Sequence, residues 1–141
     1  MSSEQTLEQP YLRPLSGKLV EIPPSARIPA RCPIQRQYVE LVPQNAAKHA
    51  CDLFDAGHDS EQALKTWDYL AYGLWASVAD YSNTMRAQSA NFETILNAIR
   101  PLDSEAFEGQ SSYLDISPLM SVIEIGHIWF GTRLMWTRAA T

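Results

Sequence analysis

The stretch Val122-Ile-Glu-Ile-Gly-His-Ile-Trp-Phe130 decides the fold class, because it is rich in β-branched and aromatic residues and predicts a long strand. Gly126 within it predicts a β-bulge or a close approach of another backbone. A second strand is predicted from Ser112 to Ile116. Because only Ser117 to Met120 separate it from the strand that begins at Ser121, the two strands should be antiparallel neighbours.

The sequence upstream predicts a strand followed by a helix. Tyr38 to Val42 is β-branched and aromatic, and Pro43 ends it. The helix should run from Asn45, which can cap it, to Phe54, and Gly57 can end it. Its apolar face is predicted from residues spaced i, i+3, i+4 and i+7, namely Ala47, Ala50, Cys51 and Phe54.

The middle of the chain predicts a second helix and a third strand. Residues 58–76 should form an aromatic-rich loop, after which Ser77-Val-Ala-Asp80 has the pattern of a capping box. Asn91 to Ile99 predicts a strand, and Arg100 to Gln110 a polar loop. The order strand, helix, helix and three strands predicts an α+β fold. The inner stripe of the second helix would be Val78, Tyr81 and Met85.

Composition and length restrict the class of protein. The 141 residues fit one domain, and 45% hydrophobic residues suffice for a core. With 11 Lys and Arg against 16 Asp and Glu, the formal charge of −5 argues against a nucleic-acid partner. No apolar run approaches the ~18 residues that span a membrane, and the N-terminus lacks the pattern of a signal peptide. We therefore expect no membrane partner and a cytoplasmic location.

Several kinds of site are excluded by the absence of their motifs. No P-loop and no nucleophile elbow occurs in the sequence. Cys32 and Cys51 do not make a disulfide framework, and reduced thiols are expected. His49, Cys51 and His58 match no familiar zinc spacing, so no metal is predicted.

Prolines mark off the N-terminal part of the chain. Six of the nine lie in the first 34 residues, where they prevent a long helix or a central strand. Residues 1–35 are predicted to be an extended arm, either mobile or laid over the domain, and residues 36–141 to be the domain. Leu19, Val20 and Ile22 could form a short docking strand in the arm.

Ile123-Glu-Ile-Gly-His-Ile128, a short loop and Thr137-Arg-Ala-Ala-Thr141 together resemble the GNAT superfamily of N-acetyltransferases. The resemblance is strongest to its ribosomal-protein, or Rim-type, branch. Tyr38–Pro43 with His49–Phe54 is similar to the first strand and helix of that branch, and Trp67–Gly73 to the loop between its first two helices. The resemblance covers roughly residues 36–141, and it implies the N-terminal part of the acyl-CoA N-acyltransferase fold, with acetyl-CoA as co-substrate.

The resemblance also implies which residues hold acetyl-CoA. The strand with the bulge would splay from its neighbour, and the backbone of Ile128, Trp129 and Phe130 would pair with the pantetheine arm. The following loop and helix start would cradle the pyrophosphate with backbone N–H groups. This cradle would consist of Trp136, Thr137, Arg138, Ala139, Ala140 and Thr141, with Arg138 adding a cation.

The chain departs from the family pattern in two respects. In the loop after the bulged strand, Met135 stands where the family usually has Gln or Arg, and Arg138 stands where it usually has Gly. Trp136 replaces an Arg of the Rim-type relatives, whereas Ala140 matches the family pattern. In relatives, the run at Thr141 continues into a long helix and further strands. The resemblance therefore implies a fold truncated at its C-terminus, without the strand opposite Val122–Phe130.

The resemblance suggests candidate catalytic residues on the bulged strand. Glu124 is the candidate general base for the attacking amine, or else a structural strand residue. His127 could relay a proton, or else it is a sheet-surface or core histidine. An aromatic set either walls an acceptor pocket or packs a long loop on the core, and it consists of Trp67, Tyr69, Tyr72 and Trp75.

Two classes of function remain open. The first is an acetyl-CoA-dependent N-acetyltransferase, in which a primary amine of a protein or small molecule attacks the thioester directly. The second is a catalytically inactive relic or interaction module, with the same part of the fold but no working cleft. The second class predicts exposed apolar sheet surface and self-association through the sheet edge.

Overall fold

Five strands form one antiparallel sheet in the computed structural model, which describes residues 24–141. The last strand in the sheet has a neighbour on one side, and no other strand of residues 24–141 lies on its second side. In chain order and in spatial order the strands are β1 (Ile34–Gln35), β2 (Val39–Pro43), β3 (Ile95–Pro101), β4 (Gly109–Ser117) and β5 (Val122–Phe130).

Three α-helices separate β2 from β3: α1 (Ala46–His58), α2 (Glu61–Leu64) and α3 (Val78–Ser89). The two predicted N-caps are confirmed. Asn45 Oδ1 accepts from the Lys48 N–H at 3.2 Å, and Ser77 Oγ accepts from the Asp80 N–H at 3.2 Å. The longest described helix has 13 residues, and none combines the length and the apolar character required to cross a bilayer.

The prediction of a loop over residues 58–76 was wrong. The segment contains α2 and a 3-10 helix, Lys65–Tyr69, and α1 itself continues past Gly57 to His58. Ser60 caps α2, since its Oγ accepts from the Ala63 N–H at 3.1 Å. Gly57 does not end α1. It lies within the helix, where its missing side chain makes room for the indole ring of Trp67.

The buried face of α1 differs from the predicted one. Ala47 and Cys51 are exposed, whereas Ala50 is buried and Phe54 half-buried as expected. The face that meets the sheet is rotated because Leu53, the largest fully buried side chain of α1, occupies its centre. The buried residues of α1 are His49, Ala50, Leu53, Ala56 and Gly57.

The core lies between the helices and one face of the sheet. Tyr81 and Met85 of α3 are buried there and Val78 packs against them, which confirms the predicted inner stripe. The sheet contributes Ala98 from β3 and Trp129 from β5. The α+β order predicted from the sequence is therefore the observed one, with one additional short helix and the two-residue strand β1.

The residues of the predicted polar loop from Arg100 to Gln110 partly belong to strands. β3 continues to Pro101, and β4 begins at Gly109. Cross-strand pairing explains both extensions, because Arg100 lies opposite Glu40 of β2, and Gln110 lies opposite Ala98 of β3.

The described part of the predicted arm follows the surface of the domain. The Ala26 N–H donates to the Pro118 carbonyl oxygen at 2.9 Å, and Arg31 Nη2 donates to the Thr94 carbonyl oxygen at 3.0 Å. The arm then joins the sheet as β1, with Ile34 opposite Leu41. The predicted docking strand at Leu19, Val20 and Ile22 lies outside the described residues.

Candidate functional site

The edge strand β5 carries a bulge directly after Gly126. Ser112 of β4 lies opposite Gly126, but Gln110 lies opposite Trp129, so that β5 has one residue more than β4 over this interval. His127 adopts the left-handed conformation with φ 48°, which is unusual for a residue with a side chain. The bulge predicted from Gly126 is thus present, with His127 as the left-handed residue.

Side chains of β4 hold the carbonyl groups of this bulge. Ser112 Oγ donates to the Gly126 carbonyl oxygen at 2.8 Å, and Gln110 Nε2 donates to the His127 carbonyl oxygen at 3.1 Å. Gln110 is in turn oriented by Gln44, whose Nε2 donates to Gln110 Oε1 at 2.7 Å. These polar side chains were not singled out in the sequence, because nothing local connects them to the bulge.

A hollow of about 460 Å³ lies at the end of this edge, and we call it the β5 hollow. One wall consists of Ile128, Trp129 and Phe130 from β5 and Met135 from the next loop. The opposite wall consists of Gln62 from α2, Lys65, Thr66, Asp68 and Tyr69 from the 3-10 helix, and Leu70, which follows it. The structure thus brings together the three β5 residues predicted to bind a pantetheine arm. It also adds Lys65, a cation in the wall that no sequence motif indicates.

The loop after β5 folds back on itself over residues 131–141. Thr137 Oγ1 donates to the Leu134 carbonyl oxygen at 2.7 Å, and Leu134 is fully buried. Trp136 has φ 65° and is fully exposed. Among residues 24–141, no atom accepts a hydrogen bond from the backbone N–H groups of Trp136, Arg138 and Ala139. The loop therefore has free backbone donors of the kind that bind anions.

Arg138 points away from the β5 hollow. Its Nη1 donates to the Tyr38 hydroxyl at 3.1 Å, and its guanidinium lies 5.6 Å from the centroid of the Tyr38 ring. Both residues line a second hollow of about 610 Å³, which also touches Arg133 and Glu108. There Arg133 Nε lies 3.3 Å from the buried Glu108 carboxylate. The loop thus lies between two hollows, with its arginine directed to the second.

The two candidate catalytic residues lie on either side of Gly126. Glu124 is exposed, and its Oε1 lies 3.1 Å from the position that a Cβ on Gly126 would occupy. The exposed His127 ring packs edge-on against Tyr72, with centroids 5.1 Å apart. No side-chain hydrogen bond of Glu124 occurs among the residues that the structure describes, so its carboxylate is open to solvent.

Three residues of the predicted aromatic set pack together on the core. Trp67 is buried, and its centroid lies 5.1 Å from Trp75, 6.3 Å from Tyr72 and 5.2 Å from Trp129. Burial raises the pKa of Tyr72 to about 12. Such contacts are those expected if the aromatic side chains pack this segment on the core, which was one of the two roles considered for them. Tyr69 stands apart, 91% exposed, in the wall of the β5 hollow.

Metal-ligating residues do not gather anywhere in residues 24–141. No group of three His, Cys, Asp or Glu side chains is close enough to hold an ion there. Nδ1 of His49 instead accepts a hydrogen bond from the Asn45 N–H at 3.1 Å, and His58 stacks on Phe54 at 4.2 Å between centroids.

Solved structures show which fold this arrangement belongs to. A GCN5-related N-acetyltransferase from Brucella melitensis is 28% identical, with a TM-score of 0.77, over 83% of this chain and 52% of its own. The fold is that of GNAT-family acetyltransferases. A protein from Chromobacterium violaceum ATCC 12472 described as a GNAT-family acetyltransferase is 26% identical, with a TM-score of 0.77, over 89% of this chain and 62% of its own.

A third GNAT-like structure is more distant. It is described as a ribosomal-protein-serine acetyltransferase from Vibrio cholerae, and it is 16% identical with a TM-score of 0.56, over 72% of this chain and 55% of its own. This likeness concerns the fold alone. The chain spans between half and two thirds of the length of these three structures. No protein-family model matches the sequence, and no curated protein matches it either.

Proposed function

We propose that the chain is an acetyl-CoA-dependent N-acetyltransferase that acts on a primary amine of a protein or a small molecule. The GNAT-family structures of similar fold support the general class. The observation that carries the proposal is the bulged free edge of β5, because its residues 128–130 line a hollow large enough for part of an acyl-CoA. A cytoplasmic location is part of the same proposal.

Two backbone segments would bind acetyl-CoA. The free edge of Ile128, Trp129 and Phe130 would pair with the amide groups of the pantetheine arm, as an added strand pairs with a sheet edge. The unpaired N–H groups in the loop from Trp136 to Thr141 would receive the pyrophosphate. Arg138 would have to turn from Tyr38 to add its charge there, since its guanidinium is held on the other side.

The reaction is a direct transfer without a covalent enzyme intermediate. The amine nitrogen forms a bond to the thioester carbon, the carbon–sulfur bond breaks, and CoA leaves as a thiolate that takes up a proton. A backbone N–H at the bulge stabilises the negative charge on the carbonyl oxygen. Glu124 accepts the proton that the amine loses, directly or through water, and His127 relays it.

Binding and turnover test this proposal separately. At a ligand concentration about 100-fold above the dissociation constant, CoA and acetyl-CoA should stabilise the fold by about 2.7 kcal/mol. Release of free thiol should then depend on an added amine, tested with peptide N-termini, lysine side chains and polyamines. The absence of any thermal shift at millimolar acetyl-CoA would exclude the proposed function.

A matched pair of variants tests the role of Glu124. Glu124→Gln should lower the rate of acetyl transfer by about 10²- to 10⁴-fold while leaving the affinity for CoA within twofold, as expected for loss of a general base. Glu93→Gln changes another exposed glutamate, in the turn before β3, and should leave the rate unchanged. Equal rates for both variants would make Glu124 a structural residue.

A second candidate function is an interaction module without catalysis. It is favoured by the apolar side chains that β5 exposes, among them Ile125, which is 65% exposed, together with Val122, Ile123 and Ile128. A free edge with such residues pairs readily with a second copy. Under this proposal the chain should self-associate in sedimentation, Ile125→Lys should abolish the association, and Phe92→Lys, at an exposed site outside β5, should not. A monomer that turns over acetyl-CoA would exclude it.

A further inference from the structure

The bulge directs two successive carbonyl groups of β5 toward the same neighbouring strand. In a regular strand, successive carbonyl groups point alternately to the two sides. Here the Gly126 carbonyl accepts from Ser112 Oγ at 2.8 Å, and the His127 carbonyl accepts from Gln110 Nε2 at 3.1 Å. Both donors belong to β4. The left-handed backbone of His127, with φ 48°, makes this double orientation possible.

Peptide geometry then fixes the direction of the next two N–H groups. In a planar trans peptide, the carbonyl of one residue and the N–H of the following residue point in opposite directions, and no peptide bond among the described residues is cis. The N–H groups of His127 and Ile128 must therefore point away from the side chains of Ser112 and Gln110. Two adjacent N–H groups of this kind form a concavity that attracts a negatively charged or partly charged oxygen.

The two side chains that donate hydrogen bonds to the bulge are buried. Gln110 and Ser112 are 3% and 1% exposed. The amide of Gln110 can take only one orientation, because its Oε1 accepts from Gln44 Nε2 while its Nε2 donates to His127. Because both donor side chains are shielded from water, loss of either one would leave a partly buried carbonyl group without its partner. Such a carbonyl would favour a regular β5 over the bulged one.

We propose that Ser112 and Gln110 are positioning residues, which hold the bulge so that the N–H groups of His127 and Ile128 face a carbonyl oxygen of an acyl-CoA thioester. This inference rests on the proposed function for the identity of the ligand. Gln44 acts one step further back, through Gln110. None of the three side chains touches the ligand, and their effect passes through the backbone of β5.

The first experiment needs no ligand. In the full chain, ¹³C chemical shifts should report the left-handed conformation of His127, and the amide protons of His127 and Ile128 should exchange rapidly with solvent. Ser112→Ala and Gln110→Met should remove the left-handed signature. The control Ser82→Ala removes another buried hydroxyl, on α3 and outside the bulge, and should keep it. Retention of the signature in both β4 variants would overturn the inference.

The second experiment measures the affinity for CoA and acetyl-CoA. Wild type should show ligand-induced shifts of the His127 and Ile128 amides. Ser112→Ala and Gln110→Met should bind acetyl-CoA about tenfold more weakly, which corresponds to about 1.4 kcal/mol, and Ser82→Ala should bind within twofold of wild type. Full affinity in the β4 variants would overturn the positioning role.

The outcomes separate this inference from the proposed function. If wild type binds neither CoA nor acetyl-CoA, the proposed function fails, while the chemical shifts of His127 still decide whether Ser112 and Gln110 hold the bulge. If the Gln110→Met variant does not fold, the Gln44→Met variant takes its place in both experiments. Gln44→Met removes only the hydrogen bond that orients the Gln110 side chain. That variant should weaken binding by a smaller factor, and unchanged binding would count against the inference.

Discussion

The indole of Trp67 lies directly against Gly57. Its Nε1 donates to the Gly57 carbonyl oxygen at 2.8 Å, and a Cβ on Gly57 would lie 2.5 Å from its Cζ2. Gly73, with φ 129°, touches the other part of the ring, since a Cβ there would lie 2.4 Å from Trp67 Cε3. Two glycines thus hold the central aromatic ring of the core, which joins α1 to the segment that follows it.

Gly57→Ala should destabilise the protein although it improves helix propensity. The propensity gain is about 1 kcal/mol, but overpacking against a buried ring costs about 1–3 kcal/mol, and the ring is also held by a hydrogen bond. Urea unfolding should show a lower free energy of unfolding with an unchanged slope. The control Ala47→Gly, at an exposed site of the same helix, should cost about 1 kcal/mol through propensity alone. A Gly57→Ala variant more stable than wild type would contradict the packing described for Trp67.

Stability should fall in mildly acidic solution because of His49. Burial, followed by the charge of Lys48, lowers the pKa of His49, while Asp52 raises it by a smaller effect. The unfolded chain therefore binds a proton more readily than the folded one between the folded pKa and the ordinary value of 6.5. The contribution of neutral His49 is complete above that value and is lost as the pH falls through this window.

Two variants test the role of His49 in this pH dependence. His49→Gln should reduce the loss of unfolding free energy on going from pH 7.5 to about pH 5. Lys48→Met should also reduce this loss, because it removes the charge that, together with burial, lowers the pKa of His49. If wild type and both variants lost the same free energy, His49 would not be the group responsible.

Ser77→Ala should destabilise α3 by about 1 kcal/mol, because it removes the acceptor for the Asp80 N–H. The hydroxyl of Ser77 also donates to Asp80 Oδ2 at 2.8 Å, so the variant leaves both groups of Asp80 unpaired. Chemical denaturation measures the effect. Ser89→Ala, at the exposed last residue of the same helix, should be neutral or slightly stabilising. Equal stability of the two variants would show that Ser77 is not an effective cap.

The cross-strand pair Glu40 and Arg100 should show a positive coupling energy. Arg100 Nη2 lies 2.6 Å from Glu40 Oε2, and the side chains are 25% and 18% exposed. A double-mutant cycle with Glu40→Gln and Arg100→Met should give a coupling of about 1 kcal/mol, at the upper end of the range for exposed pairs. High salt should reduce it only partly, because the pair is half-buried. A coupling near zero would reduce the pair to a surface contact.

Arg138→Gln should weaken binding of CoA if the arginine turns toward the pyrophosphate. We expect a three- to tenfold rise in the dissociation constant, about 1 kcal/mol, and a weaker dependence on salt. Arg86→Gln, at an exposed position of α3, is the matched control and should bind as wild type does. An unchanged affinity would mean that Arg138 remains on Tyr38, and that the backbone alone meets the anion.

Local signals in the sequence predicted some features correctly. Asn45 and Ser77 are caps because their side chains bond to N–H groups three residues away, and such contacts need no tertiary partner. The run from Val122 to Phe130 forms a strand as its composition predicts. Gly126 marked the bulge because a Cβ there would lie 2.8 Å from Leu114 Cδ1.

Other features depended on residues far away in the chain. Periodicity alone did not distinguish the face of α1 that holds Cys51 from the face that holds Leu53, and the sheet and Trp67 select the second. The aromatic residues from Trp67 to Trp75 had two possible roles. Contact with Trp129 places Trp67 in the core, and the half-buried Tyr72 and Trp75 pack against the core. Lys65 and Tyr69 line the β5 hollow because α2 and the 3-10 helix lie beside the edge of β5. The sequence had predicted a loop for this segment.

The amino-acid order was sufficient for the α+β class, the starts of α1 and α3 and the position of the bulged strand, because these follow from backbone preferences and contacts within a few residues. The tertiary structure decided the orientation of the bulge and the place of the candidate site. Ser112 and Gln110 reach Gly126 and His127 across 14 and 17 residues of chain. Such hydrogen bonds form only when β4 and β5 lie in register, and that register is set by the whole sheet.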